Sequence, residues 1–132
     1  MRKRVLSILL AAVMVVSLLP MTAFAEATKP EGSEWLVDSG DNHVWYKLEE
    51  VPASSGTYTL TIGGEGAMPD YLPDALADRP WHAVKDSITT VVIESGVTTI
   101  GYDAFNGFES LESVTIPSSV TSLWAAFTNC IE

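Results

Sequence analysis

Cysteine, histidine and basic residues are scarce in this chain of 132 residues. The single cysteine, Cys130, cannot form a disulfide within the chain. The two histidines, His43 and His82, lie in no metal-ligand spacing with a cysteine or a carboxylate, which argues against zinc. Seven lysines and arginines stand against 17 acidic residues, so the chain lacks the basic surface that phosphate contacts need. The composition therefore disfavours nucleic acid and anionic lipid as partners.

Motifs for catalysis and cofactor binding are missing as well. No serine lies in a G-x-S-x-G elbow. The glycine-rich stretch at 63–66 lacks the spacing and the Lys-Ser/Thr of a phosphate loop, which favours a tight turn after a strand. Asp70, Asp74 and Asp78 are too sparse for a calcium loop and fit solvated loop carboxylates better. We predict a protein that is not an enzyme and that has no catalytic residues, metal or cofactor.

The amino-terminal residues 1–25 are predicted to be a signal peptide. Three basic residues precede a run of 15 uncharged, mostly apolar residues, and Ala23-Phe24-Ala25 supplies the small residues of a cleavage site. The alternative, a membrane anchor, would need about 20 apolar residues. Cleavage after Ala25 would leave four basic residues against 17 acidic ones, a formal charge of −13. We therefore expect a secreted, acidic protein without membrane insertion after processing.

Residues 88–132 contain two copies of one sequence repeat, at 88–110 and 111–132. A shift of 23 residues superposes the apolar positions, after which the second copy is one residue shorter. Each copy has a β-branched run typical of a strand, followed by turn formers. One such coil buries too little apolar surface to offset its ordering cost, so the copies should stack and share a core. The predicted core is Ile88, Val91, Ile93, Val97, Ile100, Phe105, Leu111, Val114, Ile116, Val120, Leu123 and Phe127.

The block IP-x-x-V-x-x-[IL] of the second copy and the block AF-x-[GN]-[FC] of both copies resemble the BspA-like leucine-rich repeats of bacterial surface proteins. The resemblance covers roughly 38–130. One departure is Trp124, which stands where that family often has glycine. The resemblance implies a β-rich (α/β) leucine-rich-repeat solenoid of two short coils with an N-terminal β-hairpin cap. It also implies adhesion at the bacterial cell surface, with a protein or glycan ligand on host or neighbouring cells as the partner.

The residues before the repeats are predicted to form two segments. Residues 26–41 are polar and dotted with glycine, proline and serine, which indicates a flexible leader. Residues 42–87 contain two strand patterns, at 44–48 and 57–62, and should form a capping hairpin and a connector. One helical turn near the end of the connector should lay Trp81 over the hydrophobic stack.

Candidate binding residues are the outward positions of the two repeat strands, although threonine and valine are also simply good strand formers. These positions are Thr90, Val92, Glu94, Ser113 and Thr115. The alternative function is a structural cap or spacer of a longer multidomain surface protein. Because the sequence stops where a third copy would begin, we expect a fragment whose open carboxy-terminal end could self-associate. Cys130 aligns with Phe108, which favours a buried thiol over pairing between molecules.

Overall fold

A computed structural model describes residues 26–130, so the predicted signal peptide lies outside the described residues. The strands are β1 (Glu34–Ser39), β2 (Asn42–Glu50), β3 (Tyr58–Ala67), β4 (Ile88–Ile93), β5 (Val97–Thr99) and β6 (Ser113–Thr115). Two 3₁₀ helices, Pro73–Asp78 and His82–Ser87, connect β3 to β4. Neither helix of this described part has the length or the apolar content needed to cross a membrane.

The first half of the sheet is an antiparallel meander of β1, β2 and β3. β1 and β2 are joined by a tight turn in which Gly40 has a positive φ of 59°. β2 and β3 pair over eight positions, from His43 opposite Glu65 to Glu50 opposite Tyr58. The prediction of a flexible leader over 26–41 is thus wrong for Glu34–Ser39. Its Leu36 and Val37 pack against the core, and this contact orders a segment that reads as polar.

The second half of the sheet is parallel. β3 pairs with β4, with Leu60 opposite Val91, and β4 pairs with β6, with Val91 opposite Val114. Residues that are 23 positions apart in the sequence are therefore partners in the pairing of β4 with β6. The end of β3 pairs with β5 instead, because the chain turns at Gly96 between β4 and β5.

Backbone hydrogen bonds between the two copies continue beyond the strands. The amide of Ile100 donates to the carbonyl of Ser122 at 2.9 Å, and the amide of Phe105 donates to the carbonyl of Ala126 at 2.9 Å. On the other side of the first copy, the amide of Tyr71 donates to the carbonyl of Tyr102 at 2.8 Å. The first copy is thus hydrogen-bonded on both sides along most of its length, which satisfies backbone groups in its irregular segments.

The core lies on one side of the sheet and is centred on Trp81, which is fully buried. Trp81 packs against the rings of Tyr46, Tyr71 and Phe105, with centroids 5.8–6.0 Å apart. The buried predicted core residues are Ile88, Val91, Ile93, Val97, Ile100, Phe105 and Leu111. The two half-buried ones are Val120 and Phe127.

Three predicted core residues of the second copy are exposed. Val114, Ile116 and Leu123 expose 36%, 40% and 42% of their surface. Their counterparts in the first copy are buried. These residues are Val91, Ile93 and Ile100. The prediction of burial is wrong for these three because, within residues 26–130, no strand pairs with the outer edge of β6.

Candidate interaction surfaces

The predicted binding positions share one face of the sheet, which we call the outer face. In the pairing of β4 with β6, Thr90 lies opposite Ser113 and Val92 lies opposite Thr115. Thr90 and Val92 are half-buried, whereas Ser113 and Thr115 are exposed. Glu94 is exposed and follows β4 directly. The structure therefore brings four of the five positions into two adjacent pairs, with the fifth beside them.

The outer face continues onto β3 and β2. Thr59 lies opposite Thr90 and Thr61 lies opposite Val92, so a band of threonine and valine side chains crosses the parallel strands. Further along β2, the indole of Trp45 covers Gly63, where an added Cβ would lie 2.2 Å from the ring carbon Cζ2. Glycine at 63 is thus what allows the bulky Trp45 to lie flat against the sheet.

A second candidate surface is a groove of about 440 Å³ next to β5, which sequence reasoning did not identify as a site. The residues that line it are Asp70, Leu72, Thr99, Ile100, Tyr102, Ser122 and Trp124. Tyr102 and Trp124 meet edge to face, with ring centroids 6.1 Å apart and planes at 69°. The Oδ1 atom of Asp70 accepts a hydrogen bond from the amide of Tyr102 at 2.8 Å. One carboxylate and two aromatic rings therefore face the same cleft.

Backbone torsions explain how Trp124 reaches this groove. Asp103 and Ala125 both have a φ of 55°, which makes them equivalent at a spacing of 22. The residue missing from the second copy is therefore the counterpart of Gly101 or Tyr102, and the ring of Trp124 lies against that of Tyr102. Gly101 itself tolerates no side chain, since an added Cβ would lie 1.7 Å from the carbonyl oxygen of Pro69.

Arg79 is a buried cation, and its burial was not predicted from the sequence. It is 3% exposed, and its guanidinium lies 6.0 Å from the ring of Phe108. Its Nη1 donates to the carbonyls of Asp103, Ala104 and Asn106 at 3.1, 3.3 and 2.9 Å. Burial lowers the pKa of the Arg79 guanidinium, while Asp103 and Tyr71 oppose that shift. The arginine thus closes the turn at 103–106 rather than facing a ligand.

The other cations of the described chain are paired at the surface. Lys29, Lys47 and Lys85 lie 3.6, 3.1 and 2.7 Å from carboxylate oxygens of Glu34, Glu49 and Asp86. Across residues 26–130 the accessible lysines are therefore each next to an acidic partner, and the arginine is buried. Most of the acidic residues between 26 and 130 have no such counterion, which leaves a strongly negative surface.

Within residues 26–130, both histidines make pairwise contacts with a charged side chain. His43 Nδ1 lies 2.8 Å from Asp38 Oδ1 at the surface, and Arg79 Nη2 lies 3.3 Å from His82 Nδ1. In the part of the chain that the structure describes, no three histidine, cysteine or acidic side chains converge as metal ligands. The half-buried Cys130 donates from Sγ to the carbonyl of Phe105 at 3.2 Å, and burial raises the pKa of its thiol.

The repeats match a known family. Residues 82–132 match a family model described as a BspA type leucine rich repeat region (6 copies). No curated protein matches the chain. Among solved structures, the chain is similar to a leucine-rich repeat protein from Eubacterium ventriosum ATCC 27560, with 45% identity over 49% of this chain and a TM-score of 0.46. The match spans 17% of that protein.

Leucine-rich repeat families are typically non-enzymatic scaffolds for protein interactions. BspA-type repeats are typically found in surface or secreted bacterial proteins. The strand register, the buried aliphatic positions and the match of residues 82–132 agree with one another. Residues 82–132 therefore carry leucine-rich repeats of the BspA type.

Proposed function

We propose that this chain is a non-enzymatic, secreted or cell-surface protein whose repeats bind macromolecules on host or neighbouring cells. In this proposal β4, β5 and β6 belong to two short solenoid coils, and the β2–β3 hairpin caps them. The observation that carries the proposal is the registered, solvent-facing array of Thr90, Val92, Ser113 and Thr115 beside Glu94. Stacked coils generate continuous surfaces of this kind, which repeat proteins use for partners.

A charge-reversal experiment tests the outer face. The triple variant Val92→Lys, Glu94→Lys, Thr115→Lys adds three cations to the outer face. The matched control Thr98→Lys, Glu109→Lys, Thr121→Lys changes the net charge equally, at three exposed positions outside it. In the outer-face variant two lysines are side by side, because Val92 and Thr115 are strand partners. The same holds for the control, because the amide of Thr121 donates to the carbonyl of Thr98 at 2.8 Å.

Both variants and the unsubstituted chain would be titrated against immobilised extracellular-matrix proteins and glycans. We expect saturable binding by the unsubstituted chain and by the control, and its loss in the outer-face variant. Equal binding by all three proteins, or no saturable binding to any matrix component, would overturn the proposal. Thermal unfolding by circular dichroism would confirm that both variants are folded.

The exposed aliphatic residues of the second copy favour a second function, that of a structural cap or spacer. Val114, Ile116 and Leu123 form an uncovered apolar edge beside β6, and such edges favour association. Covering this edge would require a further coil or another copy of the chain. Sedimentation equilibrium tests the second case: a dimer that becomes monomeric on Ile116→Lys, but not on Thr98→Lys, supports self-association, and a concentration-independent monomer contradicts it.

A further inference from the structure

We propose that the groove between Leu72 and Trp124 binds an arginine side chain carried on a basic segment of a partner protein. The proposal rests on the proposed binding function, because it supplies a partner chemistry, but it uses a different surface from the outer face. The groove, of about 440 Å³, lies within the range of ordinary ligand pockets and can hold one long side chain.

The aromatic wall of the groove can accept a cation. Trp124 is 81% exposed, whereas tryptophan side chains are highly buried on average. Its edge-to-face contact with Tyr102 holds the indole at the rim of the groove. Tryptophan offers the strongest cation–π surface among the side chains, and arginine is the cation that most often uses it.

The carboxylate of the groove is fixed in position. Because Asp70 Oδ1 accepts from the amide of Tyr102, the carboxyl group is anchored beside the aromatic pair. The remaining oxygen can accept a hydrogen bond from a guanidinium placed over Trp124. The exposed Leu72 offers an apolar contact for the methylene groups of the same side chain.

No cation of the described chain is available to fill this position. The lysines at 29, 47 and 85 are next to their own carboxylates, and the arginine at 79 is inside the core. The formal charge of the chain is −10, so a basic partner is attracted and an acidic one is repelled. Charge complementarity therefore points to a cationic occupant from another molecule.

Arginine fits the groove better than lysine or a sugar ring. A guanidinium is planar, stacks on an aromatic face and donates several hydrogen bonds to one carboxylate, whereas an ammonium is a compact point charge. A neutral sugar could also stack on Trp124, but it would gain nothing from the negative charge of Asp70. The dependence of binding on that charge separates the two classes of partner.

The test is an NMR titration that follows the backbone amide signal of Tyr102, which every variant retains, together with the indole N–H signal of Trp124 where that residue is present. The probes are a capped five-residue peptide with one central arginine, its lysine and citrulline counterparts, and a neutral chito-oligosaccharide. The variants are Trp124→Ala, Asp70→Asn and the control Glu109→Gln. Asparagine keeps an Oδ1 acceptor for the Tyr102 amide while removing the charge, and Glu109→Gln removes one charge outside the groove.

We expect the arginine peptide to bind most tightly, with Kd raised about tenfold by Trp124→Ala and about fivefold by Asp70→Asn. The citrulline peptide should bind at least about fivefold more weakly than the arginine peptide, and Glu109→Gln should change Kd by less than about twofold. Added salt should weaken binding.

Two results would overturn the inference: equal affinity for the arginine and citrulline peptides, or tight oligosaccharide binding that is unaffected by Asp70→Asn. Either result concerns the groove alone. The matrix-protein titration of the outer-face variants is a separate measurement, so failure of the groove and failure of the proposed function are distinguishable.

Discussion

Arg79 and Trp81 donate hydrogen bonds to the same acceptor, the carbonyl oxygen of Ala104, from Nη1 at 3.3 Å and from Nε1 at 2.9 Å. Both side chains are buried, and both come from the connector before the first repeat copy. The turn that ends this copy is therefore fixed by side chains about 25 residues upstream. Two residues that differ in charge and size share one structural task.

Replacing the buried guanidinium should strongly destabilise the fold. We expect Arg79→Met to lower the free energy of unfolding by about 3 kcal/mol, because it leaves several carbonyls without donors. Arg79→Lys should cost less, since an ammonium can still reach one of them. Urea denaturation of the two variants measures both values. A loss below about 1 kcal/mol for Arg79→Met would show that the contacts of the arginine contribute little to stability.

The two strand partners Val91 and Val114 should respond differently to the same change. Val91→Ala removes buried methyl groups and should cost about 2 kcal/mol, whereas Val114→Ala at the exposed edge should cost about 0.5 kcal/mol or less. Chemical denaturation at low protein concentration compares them directly. Equal losses would mean that β6 is covered in solution, in conflict with its exposure in the structure.

Gly101 should tolerate no side chain despite its ordinary φ. A Cβ at this position would meet the carbonyl of Pro69, so we expect Gly101→Ala to cost about 3 kcal/mol through overpacking. Gly40→Ala is the control, because no heavy atom lies within 4 Å of its added Cβ and only the positive φ of 59° opposes it. The control should cost about 1 kcal/mol. Thermal melts that rank the two variants in the opposite order would contradict the close approach of the chain at Pro69.

Stability should fall at high pH because of Tyr71. Burial raises the pKa of its phenol to about 12, against an ordinary value of 10.0. The folded state therefore favours the protonated phenol, and the unfolded state loses its proton first. This contribution is fully present below pH 10 and declines as the pH rises towards 12, by about 2–3 kcal/mol in total.

The control for this pH dependence is Tyr71→Phe, which has no phenol to titrate. Denaturant unfolding measured in steps from pH 9 to 12 should show a smaller decline in Tyr71→Phe than in the unsubstituted chain. Identical pH profiles for the two proteins would show that Tyr71 is not the titrating group.

The strand register of the repeats was predictable because it depends on local chemistry. Alternation of β-branched residues distinguishes Val91 from Val92, and the shift of 23 then selects Val114 as the partner of Val91. The block AF-x-[GN]-[FC], which contains Phe105, indicated where the turn at the end of each copy lies. The outer-face positions follow from the same alternation, whereas their role in binding stays a prediction.

Features that depend on distant contacts were not predictable. The segment 26–41 read as polar, but Glu34–Ser39 became a strand through pairing with β2 and through packing of Leu36 and Val37 against the core. The burial of Arg79 depends on backbone carbonyls that face inward 24 to 27 residues later, for which a sequence has no signal. Tyr102 and Trp124 were weak candidates for binding from the sequence, but their contact was not predictable, because it depends on the second copy being one residue shorter than the first.

The mixed sheet also has a consequence for how the chain acquires its structure. β1, β2 and β3 are joined by short connections, whereas β4 must find β3 across 20 intervening residues, from 68 to 87. The meander can therefore form early and serve as a template on which the first and then the second copy is added. Pulse-labelling hydrogen exchange during refolding should accordingly protect the amides of β2 and β3 before those of β6, and the reverse order would exclude templated growth from the amino-terminal side.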